Sequence, residues 1–204
     1  EKGLILPPKI APYQVVIIPI FRKEEEKAAV MKECDSIFSE LKALGIRCKV
    51  DDNEQTSPGF KFNEWELKGA PLRIHIGPRD IENNVVELAR RDTLTKSKGV
   101  PRLGLAETID LLLNEIQVDL LERNRTWREE NTRDIDDFDN LNTELEKGGF
   151  LRVHWCGSSE HEAEIKDKTK ATIRVKPFKA IEAGGKCIVS GHESPSRVYI
   201  GRAY

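Results

Sequence analysis

The sequence predicts an α/β protein: a five-stranded mixed sheet flanked by helices, followed by a second, smaller α/β domain. Three observations predict it. Between residues 15 and 50 a β-branched apolar run, an amphipathic helical stripe and an alternating run follow one another, the order of a right-handed parallel crossover. Apolar residues at Leu72, Ile74 and Ile76 alternate with polar ones, and turn-forming residues separate further strand-like runs. A long helical pattern ends in a charged stretch, after which Gly148-Gly149 opens a new alternating segment.

Each element has its own justification. Val15 to Ile20 is a short β-branched run of the kind buried in a parallel sheet. From Glu24 to Leu44 apolar residues recur at Val30, Cys34, Ile37, Leu41 and Leu44, with acidic residues in the first turn and Gly45 as the stop. Ile46 to Val50 alternates as a strand. Pro58-Gly59 opens, and Gly69 and Pro71 close, a short helix carrying Phe62, Trp65 and Glu66. In the strand Leu72 to Ile76 one face is expected to be buried while Arg73 and His75 share the other. Gly77-Pro78 then turns the chain and presents Arg79. Val85 to Ala89 and Thr93 to Lys96 read as a hairpin centred on Arg90-Arg91-Asp92. Leu103 to about Arg133 is a long helix with Leu105, Ile109, Leu112, Ile116 and Leu120 at helical spacing, and its charged half beyond Glu122 is expected to bridge two domains. An acidic segment, Asp134 to Asp139, overlaps a helix around Phe138 to Glu146. Strands follow at Phe150 to Trp155 and near Thr172 to Val175, Cys187 to Val189 and Arg197 to Ile200, completing a small terminal unit.

Composition removes several function classes. The 204 residues, 38% hydrophobic, suffice for one good core or two small ones, and no apolar run approaches the ~20 residues of a membrane span. The start lacks the order of a signal peptide and the four cysteines are widely spaced, so a cytoplasmic protein is expected rather than a disulfide-stapled secreted one. Net charge is −2, which marks no general polyanion binder. Its distribution is uneven, however: Pro58 to Arg102 holds nine Lys/Arg against six Asp/Glu, while Glu107 to Lys147 holds five against thirteen. A polyanion would contact the first block and avoid the second.

Within the basic block the residue types suit single-stranded RNA. A guanidinium can bond the O6 and N7 edge of guanine and a carboxylate can accept from its N1 and N2 donors, so Arg73 and Glu66 could identify that base together. Phe62 offers a stacking face worth roughly 1–3 kcal/mol per base, and Lys61, Arg79 and Arg90 could hold phosphates. The competing reading makes Phe62 and Trp65 core aromatics and Glu66 with Arg73 a surface ion pair. A second constellation pairs Cys156 with His161 and Cys187 with His192, donors that suit zinc. Cys34 and Cys48 sit on apolar patterns and read as core, and His154 as exposed or hydrogen-bonded. A zinc-dependent hydrolase would need an open coordination position and a carboxylate such as Glu160 or Glu162.

The strings GLILPPKIAP from Gly3 to Pro12, PGFKFNEWELKG from Pro58 to Gly69 and RIHIGPRD from Arg73 to Asp80 resemble prolyl-tRNA synthetases of the archaeal and eukaryotic type, and the likeness runs nearly end to end. The resemblance implies the C-terminal part of a class II aminoacyl-tRNA synthetase: residues 1–12 a linker from the catalytic domain, 13–115 an anticodon-binding domain, and 116–204 a C-terminal α/β, zinc-binding-like domain. It implies that Phe62 stacks in the anticodon loop, with Lys61 nearby, while Glu66, Arg73 and Arg79 contact the two guanines shared by proline anticodons. His75 stands where the family usually has Glu. The implied partners are tRNA(Pro) and the chain's own catalytic domain in a homodimeric parent enzyme, with no membrane. ATP and magnesium would serve that domain, this portion having no catalytic residues of its own. In the family a Cys-x4-Cys and a Cys-x2-Cys are common near the C-terminus; here His161 and Ser190 take the second and fourth places. Either His192 substitutes or the zinc site has decayed and Cys156 and Cys187 are small buried hydrophobes. The terminal Tyr204 matches the family's aromatic ending, whose carboxylate would reach toward the catalytic domain. A free-standing RNA-binding or regulatory module is the alternative reading.

Overall fold

The structure is a computed structural model that describes residues 3–181 and 184–202; Tyr204 lies outside the described residues. It divides into two compact units, Glu1–Glu122 and Arg123–Tyr204.

The first unit begins with β1 (Val15–Pro19), α1 (Glu24–Ala43), β2 (Cys48–Val50), α2 (Pro58–Leu67) and β3 (Leu72–Ile76). After these come α3 (Pro78–Glu82), β4 (Val85–Arg90), β5 (Lys96–Pro101) and α4 (Leu105–Glu130). The strands form one mixed sheet in the order β2-β1-β3-β4-β5. β1 is parallel to β2 and β3, the expected crossover, while β3–β4 and β4–β5 are antiparallel.

The alternation of β1 and β3 decides what each face carries. Val15, Ile17, Leu72, Ile74 and Ile76 pack with Val30, Cys34, Ile37 and Leu41 of α1 and with Leu105, Ile109 and Leu113 of α4. Val16 and Ile18 point the other way and pack with Trp65 and Ala70, with Phe62 against them. In register, Arg73 lies opposite Val16 and His75 opposite Ile18, so both belong to the face that α2 covers. They are therefore buried, not on an open polar face as the alternation implied. A period of two tells the faces apart but does not say that only one is covered.

Two further differences arise where the pattern is polar. The turn after Gly77 is a short helix, its first turn closed by the Asp80 carboxylate accepting from the Gly77 N–H at 2.8 Å. The strand expected to stop at Lys96 begins there instead, since residues 91–95 form the hairpin turn, with Leu94 at φ +59° and the Thr93 and Thr95 hydroxyls bonded at 2.7 Å. β5 is an exposed edge strand bearing lysines, which keeps the edge from pairing and removes the apolar alternation that marks a strand.

The second unit contains β6 (Thr132–Asp134), α5 (Leu141–Glu146), β7 (Phe150–His154), α6 (Ser159–Thr169), β8 (Ala171–Val175), β9 (Gly185–Lys186), β10 (Glu193–Ser194) and β11 (Arg197–Arg202). Four strands order as β6-β7-β11-β8, and β9 and β10 form a separate two-stranded ribbon. Leu141, Leu145, Leu151, Val153, Ile165, Ala171, Val198 and Ile200 make the core. β6 and α6 had no sequence expectation. α6 buries only Ile165 and Thr169, so its apolar stripe is too thin to read. Cys187 to Val189, expected as a strand, is a turn: the Cys187 N–H donates to the His192 carbonyl at 2.7 Å and folds the chain back at once. Gly149 is required where it stands, for at φ +76° a Cβ would meet the Asn131 carbonyl oxygen at 2.1 Å.

Candidate functional site

In the first unit the candidate surface is built around α2. Ser57 caps the helix, its hydroxyl accepting from the Phe60 N–H at 3.3 Å, and Pro58 occupies the first turn where no N–H is missed. At the far end Gly69, at φ +77°, lets residue 4 approach: the Leu4 N–H donates to the Leu67 carbonyl at 2.9 Å. Arg47 holds the same leading segment through the carbonyls of Ala11 at 3.0 Å and Pro8 at 2.8 Å.

The inner side of α2 is locked to the end of β2. The Lys61 ammonium donates to the Asp51 carbonyl at 2.7 Å, and the Trp65 indole N–H donates to the Asp51 carboxylate at 2.7 Å. Lys61 is 4% exposed, which corrects its assignment as a phosphate contact: its charge is spent inside the fold. Trp65 is core. Arg90 is likewise committed, to Asp92 at 2.8 Å, Glu115 at 2.5 Å and Asp119 at 2.9 Å, so a phosphate would have to displace three carboxylates.

Glu66 and Phe62 lie one turn apart on α2 and so share a side of the helix. The Arg73 guanidinium rises beneath them from β3, donating to the Phe62 carbonyl and, at 3.0 Å, to Glu66 Oε2. The Arg73 side chain is 3% exposed, against 36% for Glu66. Arg73 therefore cannot lay two donors along a base edge as expected; it anchors the carboxylate that can. Arg91 adds a bond from Nε to the Glu66 backbone carbonyl at 2.8 Å. The second carboxylate oxygen, Oε1, has no hydrogen-bond partner among the described residues.

Phe62 is half-buried and stacks on His75, centroids 4.1 Å apart and planes 28° from parallel, while the Lys96 ammonium lies 5.6 Å from its centroid. The His75 ring meets Glu87 through Nδ1 at 2.9 Å, and its Nε2, like Arg73 Nε, is buried without a partner. Burial lowers the His75 pKa, with the hydrogen bond to Glu87 opposing it. Arg79 is exposed in the first turn of α3, and Lys96 and Lys98 are exposed on β5. The two lysines were missed; their signal is the Lys96-Ser97-Lys98 alternation on an edge strand. The stack of Phe62 on His75 joins two elements and leaves no sequence signal.

The second unit holds a cluster of soft donors. Cys156 follows β7, His161 lies in the first turn of α6 and Cys187 follows β9. Cys156 Sγ is 3.2 Å and Cys187 Sγ 3.8 Å from His161 Nδ1, and the three atoms lie within 4.8 Å of one another. His192 does not complete the set. Its exposed ring is centred 6.3 Å from that of His161, because the turn from Cys187 to His192 is closed through the backbone and leaves the imidazole outside. The Cys187 thiol is lowered to about 6: burial raises it, but hydrogen bonds from the backbone of Ser190, Val189 and Cys156, and from the Ser190 side chain, outweigh burial. No carboxylate oxygen belongs to the cluster among the described residues. Cys34 is core as expected, Cys48 is half-buried against that core, and burial pushes Cys34 up to about 12. His154 is buried, Nδ1 3.3 Å from the Ser194 hydroxyl.

Comparison with known proteins places both units. A family model described as the anticodon binding domain matches residues 14–115, half of the chain, and one described as prolyl-tRNA synthetase, C-terminal, matches residues 138–204. Proteins named proline–tRNA ligase are similar over the whole chain: 47% identical in Porphyromonas gingivalis, 46% in Christiangramia forsetii and 48% in Cytophaga hutchinsonii. The chain spans only 41–42% of the length of these curated relatives. No helix among the described residues is long and apolar enough to cross a membrane.

Proposed function

The chain belongs to the anticodon-binding-domain family, and from that premise we propose that it is the tRNA-reading C-terminal part of a proline–tRNA ligase. Residues 1–12 would lead from the catalytic domain, 13–115 would read the anticodon and 116–204 would form the C-terminal domain. ATP, magnesium and the aminoacylation step would belong to the portion of the relatives that this chain does not match, as would the dimer interface of a cytoplasmic parent enzyme. The match to a dedicated C-terminal model supports the subgroup carrying this extra domain, the one that the archaeal and eukaryotic type represents, although the relatives named above are bacterial.

One observation carries the reading: inside the matched residues, a half-exposed carboxylate is held by a buried guanidinium one helical turn from an aromatic ring. In the proposed complex an unpaired guanine of the anticodon lies against the α2 surface. Glu66 accepts from its N1–H and N2–H, and Arg73 keeps that carboxylate aimed. Phe62, backed by His75, supplies the stacking surface. Arg79, Lys96 and Lys98 meet the phosphates on either side.

The test is equilibrium binding of this chain to tRNA(Pro) transcripts in which each shared guanine is replaced in turn by adenine. Each replacement is expected to cost ~1–3 kcal/mol, roughly 5- to 150-fold. Equal affinity for all transcripts at one salt concentration would overturn the reading.

A further inference from the structure

In the first unit the leading segment, the end of α2 and the approach to β1 enclose a cavity of about 430 Å³. Its floor is the Trp65 indole, held by its 2.7 Å bond to Asp51, with the Tyr13 ring standing edge-on to it at a centroid distance of 5.9 Å and an angle of 84°. Its far wall is the leading segment, and that wall is fixed. Besides the bond from Leu4 to Leu67, the Leu6 N–H donates to the Gly69 carbonyl at 3.4 Å. Two glycines allow so close an approach: a Cβ on Gly3, at φ +70°, would lie 2.6 Å from the Leu67 Cα, and one on Gly69, at φ +77°, 2.8 Å from the Leu4 Cβ.

Two cations stand over the apolar floor. Lys68 Nζ lies 4.6 Å and Lys49 Nζ 5.3 Å from the Trp65 ring centroid, and Lys49 Nζ is also 5.9 Å from that of Tyr13. An aromatic face attracts an ammonium but supplies no acceptor lone pair for its N–H groups. Lys68 has one carboxylate, Glu64, at 2.6 Å, whereas Lys49 makes no ion pair among the described residues. The cavity thus carries an excess of positive charge, and Leu4, 58% exposed, and Tyr13, 40% exposed, leave it open to solutes. Its size suits a small molecule. The lining decides which class: two ammoniums match an anionic group, and a wall of aliphatic side chains and rings matches a flat apolar body. It offers few polar partners to a ribose or a base edge, so a nucleotide would bury unpaired hydroxyls and amides there.

We infer that this cavity binds a small aromatic carboxylate, its ring against Tyr13 and the wall of Leu4 and Leu6, its carboxylate between Lys49 and Lys68. An occupant so placed bridges the leading segment to α2. None of the residues assigned to the proposed RNA surface lines the cavity, so failure of either reading leaves the other standing.

The probe is naphthylacetate, with naphthylacetamide as its uncharged counterpart of the same shape, added to the full chain. The chain has three tryptophans, so a proton–nitrogen correlation spectrum holds three indole signals, assigned through Trp127→Phe and Trp155→Phe. The expected result is a saturable shift of the Trp65 signal with a dissociation constant of about 1 mM or tighter, the range open to a ligand of this size. The amide is expected to bind roughly tenfold more weakly, and Lys49→Gln and Lys68→Gln each to weaken the carboxylate by about two- to fivefold. A shift shared equally by all three indoles, an amide that binds as well as the carboxylate, or no saturation in the millimolar range would each overturn the proposal. So would displacement of the probe by an anticodon stem-loop, which would assign the cavity to RNA, or a probe affinity that falls as protein concentration rises, which would assign it to a second copy of the chain. The comparison of carboxylate with amide needs no variant, so a folding defect cannot obscure it.

Discussion

Replacing Arg73 by methionine separates a residue that touches RNA from one that positions the residue that does. The substitution keeps most of the buried volume and removes the guanidinium, which is 3% exposed and bonded to the Phe62 carbonyl and the Glu66 carboxylate. Hydrogen bonds to charged groups contribute about 1.5–3 kcal/mol, and the partly exposed Glu66 can turn to water once released, so a net destabilisation of about 1.5–3 kcal/mol is expected. Glu66→Ala leaves the buried guanidinium without its counter-ion and should cost more, about 3–5 kcal/mol of stability. RNA binding follows the same order. Glu66→Ala loses the base contact, ~1–3 kcal/mol, and Arg73→Met loses part of it. The informative variant is the double one: without the carboxylate to aim, Arg73→Met should change affinity by less than about twofold, a non-additivity that marks action through a shared partner. Fluorescence anisotropy with an anticodon stem-loop at fixed salt, alongside urea unfolding, measures both quantities. If Arg73→Met costs the same factor with and without Glu66, the guanidinium meets RNA directly and the positioning role is wrong.

Burial holds the His75 pKa below its ordinary 6.5. The unfolded chain therefore takes up this proton first as pH falls, so the contribution to stability is full above about pH 6.5 and lost through the lower folded value. The thermal midpoint should fall between pH 7.5 and pH 5, and fall less in His75→Gln; equal slopes refute this. Gly149→Ala places a Cβ 2.1 Å from the Asn131 carbonyl oxygen at positive φ and should destabilise the second unit by about 2 kcal/mol or more, measured by urea unfolding. A loss below about 0.5 kcal/mol would show that the β6–β7 start relaxes freely. With Arg79, Lys96 and Lys98 as the phosphate contacts, the slope of log affinity against log salt should be about −2, at −0.7 per phosphate on a single strand. A slope steeper than about −4 would mean that other cations bind the backbone.

The β-branched run from Val15 to Ile20, the helical stripe from Glu24 to Leu44 and the alternation of Ile46 to Val50 made the parallel crossover legible, because period and β-branching act locally. What a neighbouring element covers is not local. Arg73 and His75 read as surface residues because nothing in their own strand shows that α2 lies across them. The same holds for Lys61, whose partner Asp51 is ten positions away and belongs to the segment after β2. In the second unit α6 buries too few apolar residues to announce itself, yet its first turn carries His161. The cysteine and histidine spacing did point to a cluster, and three of the four named residues converge; backbone geometry in the turn after Cys187 excludes the fourth.

On the proposed reading a carboxylate stands at the centre of a surface that meets a polyanion, which is a cost, and its consequences follow from the same geometry. Glu66 repels phosphate, and the proposed phosphate contacts are three, Arg79, Lys96 and Lys98, so non-specific attraction to RNA is expected to be small. A guanine that donates two hydrogen bonds to the carboxylate offsets that repulsion; an adenine, with no N2 donor, leaves the charge facing an unpaired edge. Buried Arg73 makes this contrast sharp because it holds the carboxylate in place, while remaining too enclosed to bind phosphate itself. Discrimination is thus obtained by withholding affinity from every wrong base rather than by adding affinity for the right one. A surface of this kind would be weak alone and selective in company, which suits the proposed role of a unit that occupies about two fifths of the length of its relatives.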